Sequence, residues 1–349
     1  MAKKRLFDLP QTKGEFQVRG IVSGTRKNSF FTTKKTKNNT NMNLLNFGIN
    51  FDEGQTAYIA LNGMERKEVH FYSAKEKKTI PVAWANRDKP QAEGYKLIGV
   101  NVGLETTETD DGKTVNVNKM MTEYDAAAYI STHLTDGMSI FVRGNIVFDS
   151  YTDKSGNVKR STKLIPTQIS LCSKPIDFKA EDFKVLADFK TTIVFESIEK
   201  EKDDKNQDTG RAVVSALDIG YETVTNTTFV VEDGKLAGQM KKGLREYNSI
   251  EVTGKFKSTV QTEQVEETDE WGSATTAYDS VSKPRKFELV VVKAYPATID
   301  REAYTADNIA DARKAILNKD KVEEKFGDKK ETTDAADEWG SASDDDTPW

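Results

Sequence analysis

Residues 16–51 carry the most distinctive chemistry of this chain: six cations, Arg19, Arg26, Lys27, Lys34, Lys35 and Lys37, and no Asp or Glu. Aromatic rings are interleaved with them, the adjacent pair Phe30 and Phe31 inside the densest run and Phe47 beyond it. Lys and Arg neutralise phosphates and release counterions, and exposed rings offer faces on which unpaired bases stack. The combination points to a single-stranded polyanion and carries no code for base sequence. An ordinary solvated loop would also be polar, but both signs of charge would then be interspersed. Tyr58, Tyr72, Trp84 and Arg143 are further candidates for the same surface. Strand alternation sorts some of them. Phe47 keeps step with Leu45 and Ile49, so core and surface are equally open to it. Arg143 alternates against Ile140, Val142 and Ile146 and is expected to face outward. Trp84, in the apolar stretch 81–87, is expected to be buried.

The elements that must position these residues follow from an internal repeat. Ser139-Ile140-Phe141-Val142-Arg143-Gly144 recurs as Ser249-Ile250-Glu251-Val252-Thr253-Gly254. A stretch of helical character precedes each copy, residues 123–130 and 235–244, and an apolar strand follows each, residues 163–171 and 287–292. Alternating strands lie upstream: residues 16–22, 42–51 and 57–61 before the first helix, and 191–195, 212–217 and 227–231 before the second. Three strands, a helix and two strands is the order of an OB-fold barrel. Gly20 and Gly144 suit places where coiled strands bend. The predicted fold class is all-β with minor helix: two tandem OB-fold barrels followed by a helix and a disordered acidic tail. The boundaries are a basic N-terminal arm (1–13), a first barrel (14–178), a second barrel (185–300) with an acidic loop (263–282), a helical segment (301–326) and the tail (327–349). The first barrel is oversized, and its surplus reads as an added hairpin of residues 96–104 and 113–119 around Asp110-Asp111-Gly112. A pair of β-sandwiches, each with one short helix, is the alternative architecture.

Composition narrows the function classes. Of 349 residues, 36% are hydrophobic and 31% charged, which suits compact β domains with long polar loops rather than one large core. Residues 1–178 hold 26 Lys/Arg against 19 Asp/Glu, while residues 179–349 hold 25 against 37. A basic front and an acidic rear suit contact with a polyanion by one part and with something basic by another. One cysteine, Cys172, and two histidines, His70 and His133, give no material for a disulfide, a cysteine-cluster zinc site or a histidine triad. No Walker loop, His-Glu-x-x-His helix or nucleophile elbow is present. Asp110-Asp111 and Asp203-Asp204 sit in turn-like polar runs and read as solvated loops. The expectation is a binding protein with no enzymatic activity, cofactor or metal. No apolar run approaches the ~20 residues of a membrane span, and residues 1–5 lack a signal-peptide pattern. No membrane partner is expected, and the expected location is cytoplasmic.

Residues 331–349 contain seven Asp/Glu and no Lys/Arg, and they end in Asp344-Asp345-Asp346-Thr347-Pro348-Trp349. Such a segment stays solvated, so an indole at its tip reads as a peptide ligand: a ring for a partner's pocket and carboxylates for its basic rim. The hexapeptide Asp269-Glu270-Trp271-Gly272-Ser273-Ala274 is repeated at residues 337–342, around Trp339. Both copies read as docking peptides for one partner, or as acidic segments that compete with nucleic acid.

The tip resembles the acidic tip of bacterial single-stranded-DNA-binding proteins, Asp-Asp-Asp-Ile-Pro-Phe, with Thr347 for the isoleucine and Trp349 for the phenylalanine. With the inferred barrels and the basic-aromatic face, the chain resembles the single-stranded-DNA-binding protein of a bacteriophage. The resemblance implies coating of exposed single strands during viral DNA replication, recombination or repair. It also implies recruitment of a polymerase, helicase or recombinase through the tail. Such proteins often display four OB domains by oligomerising, so two per chain would allow a monomer or a dimer. The alternatives are a virion structural or assembly protein of two β-sandwich domains, or a recombination mediator.

Overall fold

The computed structural model describes residues 5–36, 38–89, 91–152, 158–203, 205–259 and 286–326. Lys37, both copies of the Trp271/Trp339 motif and the acidic tip with Asp344, Asp345, Asp346, Pro348 and Trp349 lie outside the described residues. The described chain is all-β with three helices, and it divides into two compact units.

The first unit comprises residues 14–147 and 163–189. Its elements are β1 (Gly14–Ser23), β2 (Phe31–Lys35), β3 (Asn41–Asp52), β4 (Gln55–Met64), β5 (Glu68–Ser73), β6 (Lys78–Ala83), β7 (Tyr95–Leu97), β8 (Val100–Glu108), β9 (Thr114–Met121) and α1 (Glu123–His133). Most of β10 (Ser139–Thr152) and β11 (Val158–Leu171) completes it. The strands close in the ring β1-β3-β4-β11-β10-β1. β1 runs antiparallel to β3 and β10, whereas β4 and β11 meet in parallel at Ile59 and Leu164. With α1 between the third and fourth ring strands, this is the OB order read from the repeat.

Alternation drives the closure. Phe16, Val18 and Val22 of β1, Leu45, Ile49 and Phe51 of β3, and Ile59 and Leu61 of β4 all point into one apolar core. At Gly20 and Gly144 the ring strands approach so closely that only glycine fits. A Cβ would lie 2.1 Å from the Asn50 carbonyl oxygen at the first and 2.0 Å from that of Ile165 at the second. α1 starts at Thr122, whose hydroxyl accepts from the Asp125 amide, and it buries Ala126, Ala127 and Ile130.

The surplus of the first unit is larger than the expected hairpin. β6-β5-β7 form a separate three-stranded sheet, and β8–β9 form a hairpin whose β8 pairs in parallel with β11. The expected strand over residues 96–104 is two strands, because the chain breaks at Gly99, where a Cβ would lie 2.1 Å from the Met121 carbonyl oxygen.

The second unit comprises the described residues within 5–13, 148–162 and 190–326. Its elements are most of β12 (Leu186–Lys202), β13 (Asp208–Ile219), β14 (Val224–Val231), α2 (Gly234–Gly243), β15 (Ser249–Thr259), β16 (Lys286–Asp300) and α3 (Ala306–Phe326). The ring is β12-β13-β14-β16-β15-β12, with β14 and β16 parallel at Val230 and Val290. The repeated segments therefore open corresponding strands, β10 at Ser139 and β15 at Ser249.

Residues 5–13, expected as part of a basic arm, are a packed segment of this unit. Leu9 is buried with Val194, Leu217, Ile219, Tyr304, Ile309 and Ala312, which draws α3 into the same cluster. Thr12 donates its amide to the Ile219 carbonyl, and the Tyr304 hydroxyl donates to the Pro10 carbonyl at 3.0 Å. Burial pushes the Tyr304 phenol up to about 12.

Candidate nucleic-acid interface

In a barrel of this order, the outer face of the second and third strands and the loop joining the first two form the usual groove for oligonucleotides. Here those strands are β3 and β4, and the loop is residues 24–40 with β2 inside it. Residues opposite each other in register share a face. Gly48 lies opposite Tyr58, Asn46 opposite Ala60, Leu44 opposite Asn62, and Met42 opposite Met64. β2 continues two of these rows, Thr32 beside Leu44 and Lys34 beside Met42. One face therefore runs from a tyrosine ring, past an amide and a thioether, to an ammonium group. Tyr58 is 50% exposed, and Met64 and Lys34 are exposed, whereas Lys35, opposite Asn41, is exposed on the other face of the strand. From Gly48 to Met42 the face extends roughly 20 Å at about 3.4 Å per residue.

The loop itself is well defined. The Asp136 carboxylate accepts from the Thr25 amide at 2.8 Å, and the Asp136 amide donates back to the Thr25 hydroxyl. Arg26 Nε lies 3.9 Å from that carboxylate, yet its side chain is 91% exposed. A pair of this kind contributes little in water, so the guanidinium can be recruited by a phosphate. Lys27 is exposed at the adjacent turn, closed by the Phe30 amide on the Lys27 carbonyl.

Several expected site residues have other roles. Phe47 is 3% exposed and Phe30 is 7% exposed, so both are core residues and neither offers a ring face to a base. The turn at residues 27–30 sends Phe30 inward, and Phe31, paired with Leu45, is left half-buried at the edge. Arg19 and Arg143 project from the other side of the ring, from β1 and β10, where Gln17 faces Arg143 and Arg19 faces Phe141. Arg143 is exposed as alternation predicts. Arg19 is half-buried and donates to the Lys184 carbonyl at 2.9 Å, which makes it an anchor for the segment after β11. Trp84 is half-buried rather than buried, with its edge to Tyr124 at 6.0 Å and the Arg87 guanidinium 4.4 Å from its ring centre. Tyr72 is 42% exposed, on β5 of the small sheet. Asn62 and Met64 were legible as members of the face, because they continue the period-two alternation from Tyr58.

The corresponding face of the second barrel is closed. Leu217 and Ile219, at one end of β13, are fully buried beneath Leu9, Ile309 and Ala312. Val213, Thr228 and Val230 line a cavity of about 220 Å³ whose other wall includes Phe148, Asp149, Arg160 and Thr162. Phe148 meets Phe229 edge to face at 5.8 Å. The Arg211 guanidinium is held between Glu201, at 2.9 Å, and the buried Glu288, at 2.8 Å. On β15, Lys257 is paired with Glu232 at 2.7 Å.

The sequence model of the YorF family matches residues 73–329, more than half of the chain. The chain belongs to the YorF family. The match begins inside β5, so the basic loop and β3–β4 of this YorF member precede the matched region. No curated protein matches the sequence. Among solved structures, the wild-type single-stranded DNA binding protein from Thermus aquaticus and a deletion mutant of it are similar to this YorF chain at 10% identity and a TM-score of 0.37. Each comparison covers 85% of this chain, and 99% and 98% of those two chains respectively. Likeness at that level fixes neither fold nor ligand. The strand rings described above stand on their own pairing.

Proposed function

We propose that this YorF-family protein binds single-stranded DNA through the β3–β4 face and the loop of residues 24–40, without sequence preference and without a reaction of its own. The observation that carries this reading is the contrast between two barrels of one topology. One presents the exposed Tyr58 and Lys34 on its groove face, and the other has that face covered by its own chain and lined with carboxylates. Charge and ring contact supply affinity for any base, with stacking contributing on the order of 1–3 kcal/mol per base. The remaining part of the reading rests on sequence. The acidic tip ending in Pro348 and Trp349 would recruit enzymes of viral DNA replication, recombination or repair, and Trp271 and Trp339 would offer further docking points.

The test is a fluorescence titration with oligo-dT and with duplex of equal length, at two salt concentrations. Tight binding to oligo-dT that weakens steeply with salt is expected. Equal affinity for duplex, or binding indifferent to salt, would overturn the reading. Removing residues 344–349 should leave oligo-dT affinity intact while abolishing capture of a partner enzyme.

A further inference from the structure

The small sheet β6-β5-β7 has no part in closing the first barrel, yet it is built to hold one ring outward among cations. Along β5, Val69 and Phe71 are buried while Glu68, His70 and Tyr72 are exposed. In register, Tyr72 lies directly opposite Lys96 of β7 on one side and Thr79 of β6 on the other. Opposite residues share a face, so the phenol is flanked by an ammonium and a hydroxyl. The β5–β6 turn adds exposed Lys75 and Lys77. Residues 66–98 hold eight Lys/Arg against four Asp/Glu. One of those four, Glu76, accepts a hydrogen bond from the Tyr95 hydroxyl at 2.7 Å.

The sheet is also firmly placed. The Trp84 amide donates to the Lys67 carbonyl and the Ile98 amide to the His70 carbonyl. Arg87 grips Asp125 of α1, and Trp84 packs on Tyr124. Only residues 65–67 separate β5 from the end of β4, whose last exposed side chain on the groove face is Met64.

We propose that this sheet is a second contact for the same single strand, with Tyr72 as its stacking platform and Lys96 as its phosphate contact. It would extend the path that begins on β3–β4. The inference rests on the single-strand reading of the first barrel. Tyrosine beside lysine and threonine could otherwise serve only as a cross-strand packing pair of the sheet, a role that would influence stability and not affinity.

The experiment uses the full-length protein and dT oligomers of graded length. Tyr72→Ala and Lys96→Glu should weaken binding to long oligomers by about 5- to 100-fold, the loss of one stacked base or one phosphate contact. Binding to the shortest oligomers that the protein retains should be unchanged. Tyr72→Phe, which keeps the ring, should match the parent protein at every length. Parent-like binding by Tyr72→Ala and Lys96→Glu at all lengths would overturn the inference while leaving the first-barrel reading intact. Equal losses on short and long oligomers would also overturn it, because the residues would then belong to the minimal footprint or to the fold. Failure of the parent protein to bind any oligomer would overturn the first-barrel reading itself.

Discussion

Arg87 holds both oxygens of Asp125, Nε to Oδ2 at 2.7 Å and Nη2 to Oδ1 at 3.0 Å. This one pair ties the inserted residues after β6 to the first turn of α1, the helix that closes one end of the barrel core. Thr122 completes it, its hydroxyl donating to the same carboxylate and accepting the Asp125 amide. Burial alone would push the Asp125 carboxyl up. The hydrogen bonds from Arg87 and Thr122 outweigh it and hold the carboxyl below its ordinary 3.8.

Arg87→Ala is therefore expected to cost roughly 2 kcal/mol, the scale of a charge-assisted hydrogen bond removed from a partly buried partner. The pH dependence has a definite sign. A carboxylate with a depressed folded value stabilises the fold above its unfolded value, and the contribution is lost as pH falls through the folded one. The gap in melting temperature between the parent and Asp125→Asn should be open at pH 7 and close as pH falls through the depressed folded value of Asp125. A gap of constant size would mean that packing, not charge, holds the insert.

Asp218 behaves in the opposite sense. Burial raises its carboxyl above the ordinary 3.8, although the Thr12 hydroxyl donates to it at 2.6 Å and opposes the rise. A raised folded value gives stability that is present below the unfolded value and lost as pH climbs through the folded one. At pH 7 the charged form is a burden on the fold. Asp218→Asn, which keeps an acceptor for Thr12, should stabilise the protein by about 1 kcal/mol at pH 7, on the scale of a desolvation penalty. The gain should vanish as pH falls below the ordinary carboxylate value of 3.8, where the group is protonated in both states. Thermal melts at the two pH values decide it, and a loss of stability at pH 7 would sink the idea.

The N-terminal segment is predicted to be indispensable to the second unit. Leu9→Ala should cost about 2–4 kcal/mol, as for other buried leucines cut back to the β carbon. Ile309→Ala, in the same cluster, should cost a similar amount, and the two losses should not add, because the residues share one packed site. Urea titrations of the two single variants and the double variant measure this directly.

Much of this architecture is legible in the sequence. The repeat beginning at Ser139 and Ser249 located corresponding strands, and the helices fell close to residues 123–130 and 235–244, because both signals are local periodicities. What escaped was non-local. Thr12 meets Asp218 across 206 positions, and Phe148 meets Phe229 across the second barrel's own cover, with no period in the sequence to announce either. Phe30 was misleading for a local reason: a turn at Lys27, not the strand alternation that follows, sets its direction. The small sheet is hidden because β7 is only three residues long and β6 carries Pro81, which weakens its reading as a strand.

The groove face makes the most discriminating prediction, because its two ends should fail differently. Tyr58 contributes a ring and no charge, so Tyr58→Ala should weaken oligo-dT binding about 5- to 100-fold while the dependence of log K on log salt keeps its slope. Lys34 contributes charge from the same face, so Lys34→Ala should flatten that slope by about 0.7, the value for one phosphate contact removed from a single strand. Phe47→Ala should instead unfold the barrel, at about 3–5 kcal/mol, since its ring fills the core. Salt titrations of the first two variants beside a melt of the third separate ring, charge and core. If Tyr58→Ala and Lys34→Ala left both affinity and slope untouched, the β3–β4 face would not be where the strand lies.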